Sequence, residues 1–438
     1  MKNGARTLLL VLGDVIMQIV AFFIMLQISF PGDTSGSVIN SHLMPFGVIF
    51  FTWIFIFFLF SLYETQSVKP TIPNLRIIGI ASIVAFTASI VLFYVVSSFG
   101  ITPKTNLVIF SFTFIILFLA WRRFFYSIFS MYFRKSVAFV VDLSKDGSTV
   151  NDIKDYIENY PQSGFFIMGI YSSLEEFIRN HSVARVDTLI VSKSALQGSR
   201  DIKLLYGNVE NILDLTYAYE NILGKIPVDA IDETWFLHNV KGTSKTFYDM
   251  ISYVINVTIA TLILIITSPI LLIVAFLILL EGKGNIFYTQ LRVGKNNKTF
   301  KLYKFRSMVV GADQGGAEWT VANDPRITNA GKIIRKLHID EVPQLWNVIR
   351  GEMALIGPRP EIPSFAEKME KEVKHYELRH IINPGFTGWA QIKWRNARGI
   401  AESKEKFEYD LYYIKNRNIF LDLGIFLRTV IIIFTHKS

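Results

Sequence analysis

The stretch GKIIRKLHIDEVPQLWNVIRGEMALIGPR, residues 331–359, has the adjacent carboxylates Asp340 and Glu341 at its centre, followed closely by Pro343 and Gln344. Aspartate favours the N-cap position and proline suits the first turn, so the pattern predicts the start of a helix. A helix N-terminus also presents unpaired N–H groups that bind phosphate. On these residues alone, a purely structural helix start and a phosphate-binding site both stay open.

The composition indicates a membrane protein with more than one domain. The chain has 438 residues, of which 51% are hydrophobic and 37 are phenylalanine, and its mean hydropathy is +0.36. The absence of cysteine excludes disulfides and thiolate metal sites. The formal net charge of +9 suits a surface that faces anionic lipid or phosphorylated substrates, and charge alone does not separate these from nucleic acid.

Residues 1–135 are predicted to form a four-helix transmembrane region. Four apolar stretches, at 7–30, 44–62, 75–99 and 107–129, are each long enough to cross ~30 Å of hydrocarbon as a helix. The first contains Asp14 and has no small-residue cleavage site, so we interpret it as a retained helix in preference to a removed signal peptide.

The distribution of positive charge predicts the topology of these helices. The connections around 31–43 and 100–106 contain only one lysine or arginine between them, Lys104. The positive-inside rule therefore places the N-terminus, the second connection and everything after Arg134 in the cytoplasm. The basic residues on which this topology rests lie in those segments or at the neighbouring ends of the apolar stretches: Lys2, Arg6, Lys69, Arg76, Arg122, Arg123, Arg134 and Lys135.

Residues 136–240 are predicted to form a small, degraded Rossmann-like α/β domain. Short apolar runs alternate with amphipathic stretches, which is typical of parallel strands joined by helices. The turn after the first run, residues 142–147, reads DLSKDG and lacks the G-x-G-x-x-G pattern that lets a backbone approach a dinucleotide pyrophosphate. We therefore favour a structural or regulatory role over nucleotide binding.

Residues 251–280 form an apolar segment interrupted by Ser268-Pro269. Proline removes one helix hydrogen bond, so we expect a break there, and the serine hydroxyl is able to satisfy the freed carbonyl. Lysines and arginines flank both ends, which indicates that both ends lie in the cytoplasm. The segment is therefore predicted to be a re-entrant helix that enters one leaflet. The alternative is a fifth spanning helix kinked at Pro269.

A series of short motifs follows this segment. Together and in order they resemble the bacterial sugar transferase family, the monotopic polyprenyl-phosphate glycosyl-1-phosphate transferases, from about residue 245 to the C-terminus, and the preceding regions look like the long multi-domain form of that family. The motifs are Gln290-Leu291-Arg292-Val293-Gly294, Lys304-Phe305-Arg306-Ser307-Met308, Asp324-Pro325-Arg326-Ile327-Thr328, Asp340-Glu341-Val342-Pro343-Gln344, Gly357-Pro358-Arg359-Pro360 and Pro384-Gly385-Phe386-Thr387-Gly388-Trp389-Ala390-Gln391.

The resemblance implies a fold, a reaction and a location. Residues 241–438 would form a mainly helical phosphoglycosyl transferase domain anchored by the re-entrant helix. Asp340 would be the nucleophile and Glu341 its partner near Mg²⁺, and both would be metal ligands. The family's substrates are a UDP-sugar and polyprenyl (undecaprenyl) phosphate, at the cytoplasmic face of the bacterial inner membrane, in the first step of surface polysaccharide or glycoconjugate assembly. A homodimer is also implied.

The basic residues near this pair are the predicted substrate ligands. Phosphoryl transfer depends on positioning and on neutralising phosphate charge, so Lys304, Arg306, Arg326 and Arg359 are expected to clamp a diphosphate. The alternative for such cations is attraction to anionic lipid, worth about 1 kcal/mol per charge. Gln344 and Trp389 complete the predicted substrate-binding set, and Trp389 would stack on uracil, lie at the lipid interface or pack in the core.

Two other functional classes stay open from the residues alone. A non-catalytic membrane scaffold would use the basic region to grip anionic lipid and the α/β domain to sense a ligand. Nucleic-acid binding is weaker, because the Gly-Pro motifs and the apolar segment at 251–280 argue against it. The final apolar stretch, 419–434, contains Asp422 and Arg428 and is predicted to be an interfacial or docked helix.

Overall fold

The computed structural model describes residues 3–32, 36–96, 104–131, 134–180, 186–196, 209–231, 235, 246–282, 284–312, 324–394 and 399–435. The chain divides into two compact units, Met1–Leu215 and Thr216–Ser438. This division precedes the predicted boundary between residues 240 and 241, which itself lies outside the described residues. The difference has a packing cause, because the buried side chains of Ile226 and Val228 belong to the hydrophobic core of the second unit.

The first unit begins with four long apolar helices. They pack through aromatic rings, such as Trp53 edge-on to Phe114 with centroids 5.2 Å apart. Within the described residues, five helices are long and apolar enough to cross a membrane: these four and Thr246–Leu280 of the second unit. The four helices are α1 (Asn3–Ser29), α2 (Gly36–Leu59), α3 (Ile72–Val95) and α4 (Lys104–Met131).

A four-stranded parallel sheet completes the first unit, in the order β2 (Phe165–Tyr171), β1 (Lys135–Val140), β3 (Val186–Val191) and β4 (Val209–Asp214). The predicted alternation of strands and helices is confirmed here. The Asp142 side chain caps the helix after β1 by accepting a hydrogen bond from the Ser144 N–H, so this turn presents a carboxylate where a nucleotide-binding turn presents free N–H groups. The elements are β1 (Lys135–Val140), α5 (Leu143–Asn159), β2 (Phe165–Tyr171), α6 (Leu174–Asn180), β3 (Val186–Val191), α7 (Lys193–Leu196) and β4 (Val209–Asp214).

A buried ion pair joins the first and last of the four apolar helices. The Arg122 guanidinium donates to Asp14 Oδ2 at 2.8 Å and to the Leu62 carbonyl at 2.8 Å. The side chains are 6% and 0% exposed. Removing one partner of such a pair leaves an uncompensated buried charge.

We predict that Asp14→Asn lowers the free energy of unfolding by about 3 kcal/mol, because Arg122 then keeps its buried charge without a carboxylate. Thermal unfolding of the detergent-solubilised protein measures this as a lower Tm. Lys154→Ala is the control, since Lys154 and Glu158 form an exposed pair at 3.9 Å that contributes little. Equal Tm values for Asp14→Asn and the control would contradict the prediction.

The second unit is mainly helical, with two small two-stranded sheets. Strands β5 and β6 pair antiparallel, and β7 and β8 pair parallel. The elements are α8 (Leu215–Leu223, beginning at the boundary), α9 (Thr246–Leu280), β5 (Phe287–Val293), β6 (Thr299–Phe305), α10 (Asn329–Lys336), α11 (Leu345–Ile349), β7 (Ala354–Ile356), α12 (Pro363–Glu372), β8 (Gly385–Thr387), α13 (Trp389–Lys393), α14 (Ile400–Asn416) and α15 (Ile419–Thr435).

Helix α9 continues through Pro269, so the predicted break does not interrupt the helix, and a bend at this position stays a prediction. The Ser268 hydroxyl donates to the Ile265 carbonyl at 2.7 Å. This carbonyl lies four residues before Pro269 and is therefore the one that the missing proline N–H leaves unpaired. The predicted role of the serine is confirmed, and its hydrogen bond helps the helix to pass the proline.

One face of α9 packs against the second unit along both halves of the helix. In the first half, Ala260 belongs to the main core and the Asn256 side-chain oxygen accepts the Leu355 N–H at 3.3 Å. In the second half, Val274 and Ile278 pack against Phe305 of β6 and Ile334 of α10. Within each half, the two named side chains are four residues apart and therefore lie on one helical face. Most of the remaining surface exposes large apolar side chains.

Helix α15 lies on the parallel strand pair rather than apart from it. It contacts β7, β8 and α13, and Thr387 and Thr429 share a hydrogen bond at 2.8 Å. The prediction of an interfacial or docked helix is confirmed in its docked form.

Candidate active site

Asp340 and Glu341 lie in a short 3₁₀ turn, Ile339–Gln344, which we call the carboxylate turn. His338 precedes it with a φ of 55°, a left-handed conformation that redirects the chain after α10. The expectation that Asp340 would be an N-cap is wrong in detail. His338 occupies that position without a side-chain cap, and both carboxylates lie in the first turn.

The carboxylate turn is fixed by a buried asparagine just after it. Asn347 accepts the Tyr303 N–H at 3.2 Å and donates to the Lys301 carbonyl and to Glu352 Oε2, both at 2.7 Å. It therefore ties α11, which continues the turn, to strand β6. That strand also carries Lys304.

Two positively charged side chains, from different segments of the chain, donate hydrogen bonds to Glu341. Lys304 Nζ lies 2.8 Å and Arg359 Nη2 lies 2.6 Å from the same atom, Glu341 Oε1. Burial opposes ionisation of Glu341, but the charges of Arg359 and Lys304 outweigh it and hold the pKa of Glu341 well below its ordinary range. Glu341 is therefore a permanent anion at neutral pH.

Asp340 has a different electrostatic environment from its neighbour. The residue is 8% exposed. Burial, followed by the adjacent charge of Glu341, raises the pKa of Asp340 above its ordinary value, although Lys304 partly opposes this. Two adjacent carboxylates with pKa values pushed apart are typical of catalytic sites, because one stays ionised while the other becomes basic and reactive.

Arg359 lies in the segment Gly357–Glu361, which we call the Pro-Arg-Pro loop. It directly follows β7, and the Gly357 N–H donates to the Thr387 carbonyl at 2.8 Å. A Cβ at Gly385 would lie 2.0 Å from Gly357 N. The lack of a side chain at Gly385 thus allows close backbone contact between β8 and the Pro-Arg-Pro loop. Neither Gly385 nor Gly388 has a positive φ.

Comparison with known proteins places this site in a family. The family model described as bacterial sugar transferase matches residues 247–436. An exopolysaccharide production protein of Rhizobium leguminosarum is 43% identical over 38% of this chain and 87% of its own length. The chain belongs to the bacterial sugar transferase family.

Longer relatives of the bacterial sugar transferase family match further parts of the chain. The UDP-N-acetylgalactosamine-undecaprenyl-phosphate N-acetylgalactosaminephosphotransferase of Aeromonas hydrophila is 39% identical over 49% of this chain and 50% of its own length, so the chain spans about half of that relative. The UDP-glucose:undecaprenyl-phosphate glucose-1-phosphate transferase of Escherichia coli K12 is 28% identical over 70% of this chain and 69% of its own length.

Two of the cations predicted to bind substrate make other contacts in this family member. Arg326 forms a fork with the Asp324 carboxylate, with Nη2 to Oδ2 at 2.7 Å, and holds the pKa of Asp324 near 2. Arg306 Nη2 donates to the Ile278 and Gly282 carbonyls at 2.9 and 3.1 Å and so caps the end of α9. Their phosphate-binding roles stay predictions, whereas Lys304 and Arg359 converge on Glu341.

Trp389 and Gln344 both lie against protein. Trp389 stacks on Tyr412 with centroids 5.6 Å apart and donates its indole N–H to the Gly224 carbonyl at 2.8 Å. This contact favours the packing interpretation of Trp389 over uracil stacking. Gln344 is buried next to the carboxylate pair, and its Nε2 has no hydrogen-bond partner among the described residues, so its predicted substrate contact stays a prediction.

Sequence reasoning missed Arg292 and Arg379 as residues of the site. Arg292 donates to the Pro360 carbonyl at 2.9 Å and Arg379 to the Arg359 carbonyl at 3.0 Å. Arg292 could have been predicted from the sequence, because it lies in one of the motifs that carry the family resemblance. Arg379 lies between the motifs, and its role depends on long-range packing that residue spacing does not reveal.

The carboxylate pair fits the Mg²⁺ that the family resemblance implies. Mg²⁺ in phosphoryl-transfer sites is held by one or two carboxylates together with substrate phosphates and water. Asp340 and Glu341 supply two carboxylates, and both cationic hydrogen bonds of Glu341 fall on Oε1. No group of three or more His, Cys, Asp or Glu residues placed so that it could hold a metal ion occurs in the described part of the chain, so a purely protein-made cage is not present there.

We predict that Asn347→Asp lowers the free energy of unfolding by about 2 to 4 kcal/mol, because the new carboxylate faces the Lys301 carbonyl and Glu352 where an amide donated. Thermal unfolding measures the change. Asn418→Asp, at an exposed position before α15, is the matched control. The assigned role of Asn347 is incorrect if both variants unfold at the wild-type temperature.

Proposed function

We propose that this protein transfers a sugar 1-phosphate from a UDP-sugar to polyprenyl phosphate. The observation that carries the proposal is the convergence of Lys304 and Arg359 on Glu341 beside Asp340, in a domain of the bacterial sugar transferase family. Relatives named as UDP-sugar:undecaprenyl-phosphate transferases support the substrate class.

In the first step, a carboxylate oxygen of Asp340 attacks the β-phosphorus of the UDP-sugar. The bond from that phosphorus to the bridging oxygen breaks, its electron pair leaves with UMP, and an aspartyl phosphosugar forms. The raised pKa of Asp340 makes it a better nucleophile than an ordinary aspartate. Lys304 and Arg359 bind and orient the diphosphate oxygens, and Glu341 holds both cations in place.

In the second step, an oxygen of polyprenyl phosphate attacks the same phosphorus. The acyl-phosphate bond breaks and Asp340 regains its carboxylate, so one diphosphate linkage has replaced another. Asp340 and Glu341 would hold Mg²⁺, which would supply positive charge to neutralise the phosphate oxygens. The overall transfer is nearly balanced in free energy, because one diphosphate linkage is broken and another is formed.

The membrane helix explains how a lipid phosphate meets this site. The packed face of α9 extends from Asn256 to Ile278, about 33 Å at 1.5 Å per residue. Both halves contact the unit that holds the carboxylate turn, which supports a re-entrant helix in one leaflet better than a span leading away from it. With the charge distribution of the chain, this supports a site at the cytoplasmic face of the bacterial inner membrane. The relative named as an exopolysaccharide production protein supports a role in initiating surface polysaccharide synthesis.

The reaction is tested by UMP release from purified protein supplied with Mg²⁺, polyprenyl phosphate and one UDP-sugar at a time. We expect at least one sugar to give UMP and a lipid-linked diphosphosugar. Asp340→Asn should lower turnover by at least about a thousandfold, because the amide is a poor nucleophile. Asp229→Asn, which alters an exposed pair with Lys404, is the matched control. Failure of every UDP-sugar with folded protein would favour the scaffold alternative.

The electrostatics of the pair predict a pH effect. Asp340 must be ionised to react, so kcat/KM should rise with pH through the raised pKa of Asp340. Glu341→Gln removes the like charge, and should therefore lower the pKa of Asp340 and move the acid limb of the profile to lower pH, even as the maximum rate falls. Glu372→Gln, at the exposed end of α12, is the control. An acid limb that stays in place or moves to higher pH would refute this electrostatic account.

A further inference from the structure

We infer that Arg379 and Arg292 are positioning residues that hold the backbone of the Pro-Arg-Pro loop and so aim Arg359 at Glu341 and the substrate diphosphate. The inference rests on the proposed function for the identity of that substrate. Among the residues that the structure describes, neither arginine forms a hydrogen bond with the carboxylate turn, so both act through Arg359.

Four consecutive carbonyls of the loop are each held by a separate donor. The Gly385 N–H donates to the Pro358 carbonyl at 2.8 Å and the Val293 N–H to the Glu361 carbonyl at 2.9 Å. Between them, Arg379 Nη2 donates to the Arg359 carbonyl at 3.0 Å and Arg292 Nη1 to the Pro360 carbonyl at 2.9 Å. Two backbone amides thus fix the ends of the loop, and two guanidinium groups fix its centre.

The sequence of the loop explains why side chains supply these donors. Pro358 and Pro360 have no N–H, so a loop with two prolines offers few amide donors to pair with a neighbouring segment. The Arg359 side chain is 38% exposed and has many rotatable bonds. Its guanidinium therefore depends on a fixed backbone to reach Glu341 reproducibly.

Arg379 is itself held rigidly. It is 2% exposed and donates to Glu361 Oε1 at 3.2 Å, to Asp410 Oδ2 at 3.0 Å and to the Tyr376 hydroxyl at 2.5 Å. Lys406 also contacts Glu361, at 2.8 Å. Only a planar group with five donors can satisfy these acceptors and the Arg359 carbonyl together, whereas a lysine would lose some of them without loss of charge.

A positioning role and a purely structural role for Arg379 predict different results when the Arg379 and Arg359 substitutions are combined. If Arg379 acts through Arg359, its replacement matters little once Arg359 is already altered, so the effects of the two changes on kcat do not multiply. If Arg379 only stabilises the fold, the two effects multiply and follow the loss in Tm.

The test compares Arg379→Lys, Arg359→Lys and the double variant, with Arg292→Lys as a second positioning variant. Arg350→Lys is the matched control, because Arg350 pairs with Glu352 on the surface. Turnover is measured as UMP release, and hydrogen–deuterium exchange is measured at the Val293 and Gly385 amides, which bond the two ends of the loop. The exchange measurement needs no substrate.

We expect Arg379→Lys and Arg292→Lys each to lower kcat about tenfold to a hundredfold and to speed exchange at both amides, with Arg350→Lys unchanged. The double variant should be within about threefold of the slower single variant. Multiplying losses, or unchanged exchange in both positioning variants, would overturn the inference. Faster exchange in the two variants, together with no UMP release by the wild-type protein, would uphold the contacts and reject the proposed function.

Discussion

The paired cation contact at Glu341 Oε1 is the interaction on which the site depends. It brings together the carboxylate turn, strand β6 through Lys304 and the Pro-Arg-Pro loop through Arg359. Two cations on one carboxylate keep Glu341 ionised. That fixed negative charge, together with burial, is also what makes Asp340 basic. Without Glu341, Lys304 and Arg359 would have no common anchor before a diphosphate arrives.

The remainder of the second unit serves to hold those three segments. Asn347 fixes the turn to β6, and the close approach of Gly357 and Gly385 fixes the loop to β8. Helix α9 packs along this same assembly and exposes apolar side chains on its other faces. The protein thus places a rigid, charged site beside a hydrophobic helix, an arrangement that suits a substrate with a phosphate head and a lipid tail.

Patterns that depend on local chemistry were predictable from the sequence. The apolar helices, the parallel strands and the pairing of Ser268 with the carbonyl freed by Pro269 follow from hydropathy, periodicity and proline geometry. The convergence on Glu341 was partly predictable, since Lys304 and Arg359 lie in motifs. Arg306 and Arg326 also lie in motifs and look equivalent to Lys304 and Arg359 in the sequence. In the fold, however, Arg306 contacts the end of α9 and Arg326 contacts Asp324. The carbonyl contacts of Arg379 arise from tertiary proximity, which spacing does not encode.

The most direct test of the central claim is to trap the intermediate. The protein would be incubated with an isotopically labelled UDP-sugar that supports turnover, without polyprenyl phosphate, then digested and analysed by mass spectrometry. The account predicts a sugar-phosphate adduct on Asp340 that disappears when polyprenyl phosphate is added. Full turnover by Asp340→Asn protein, or an adduct on a different residue, would contradict it.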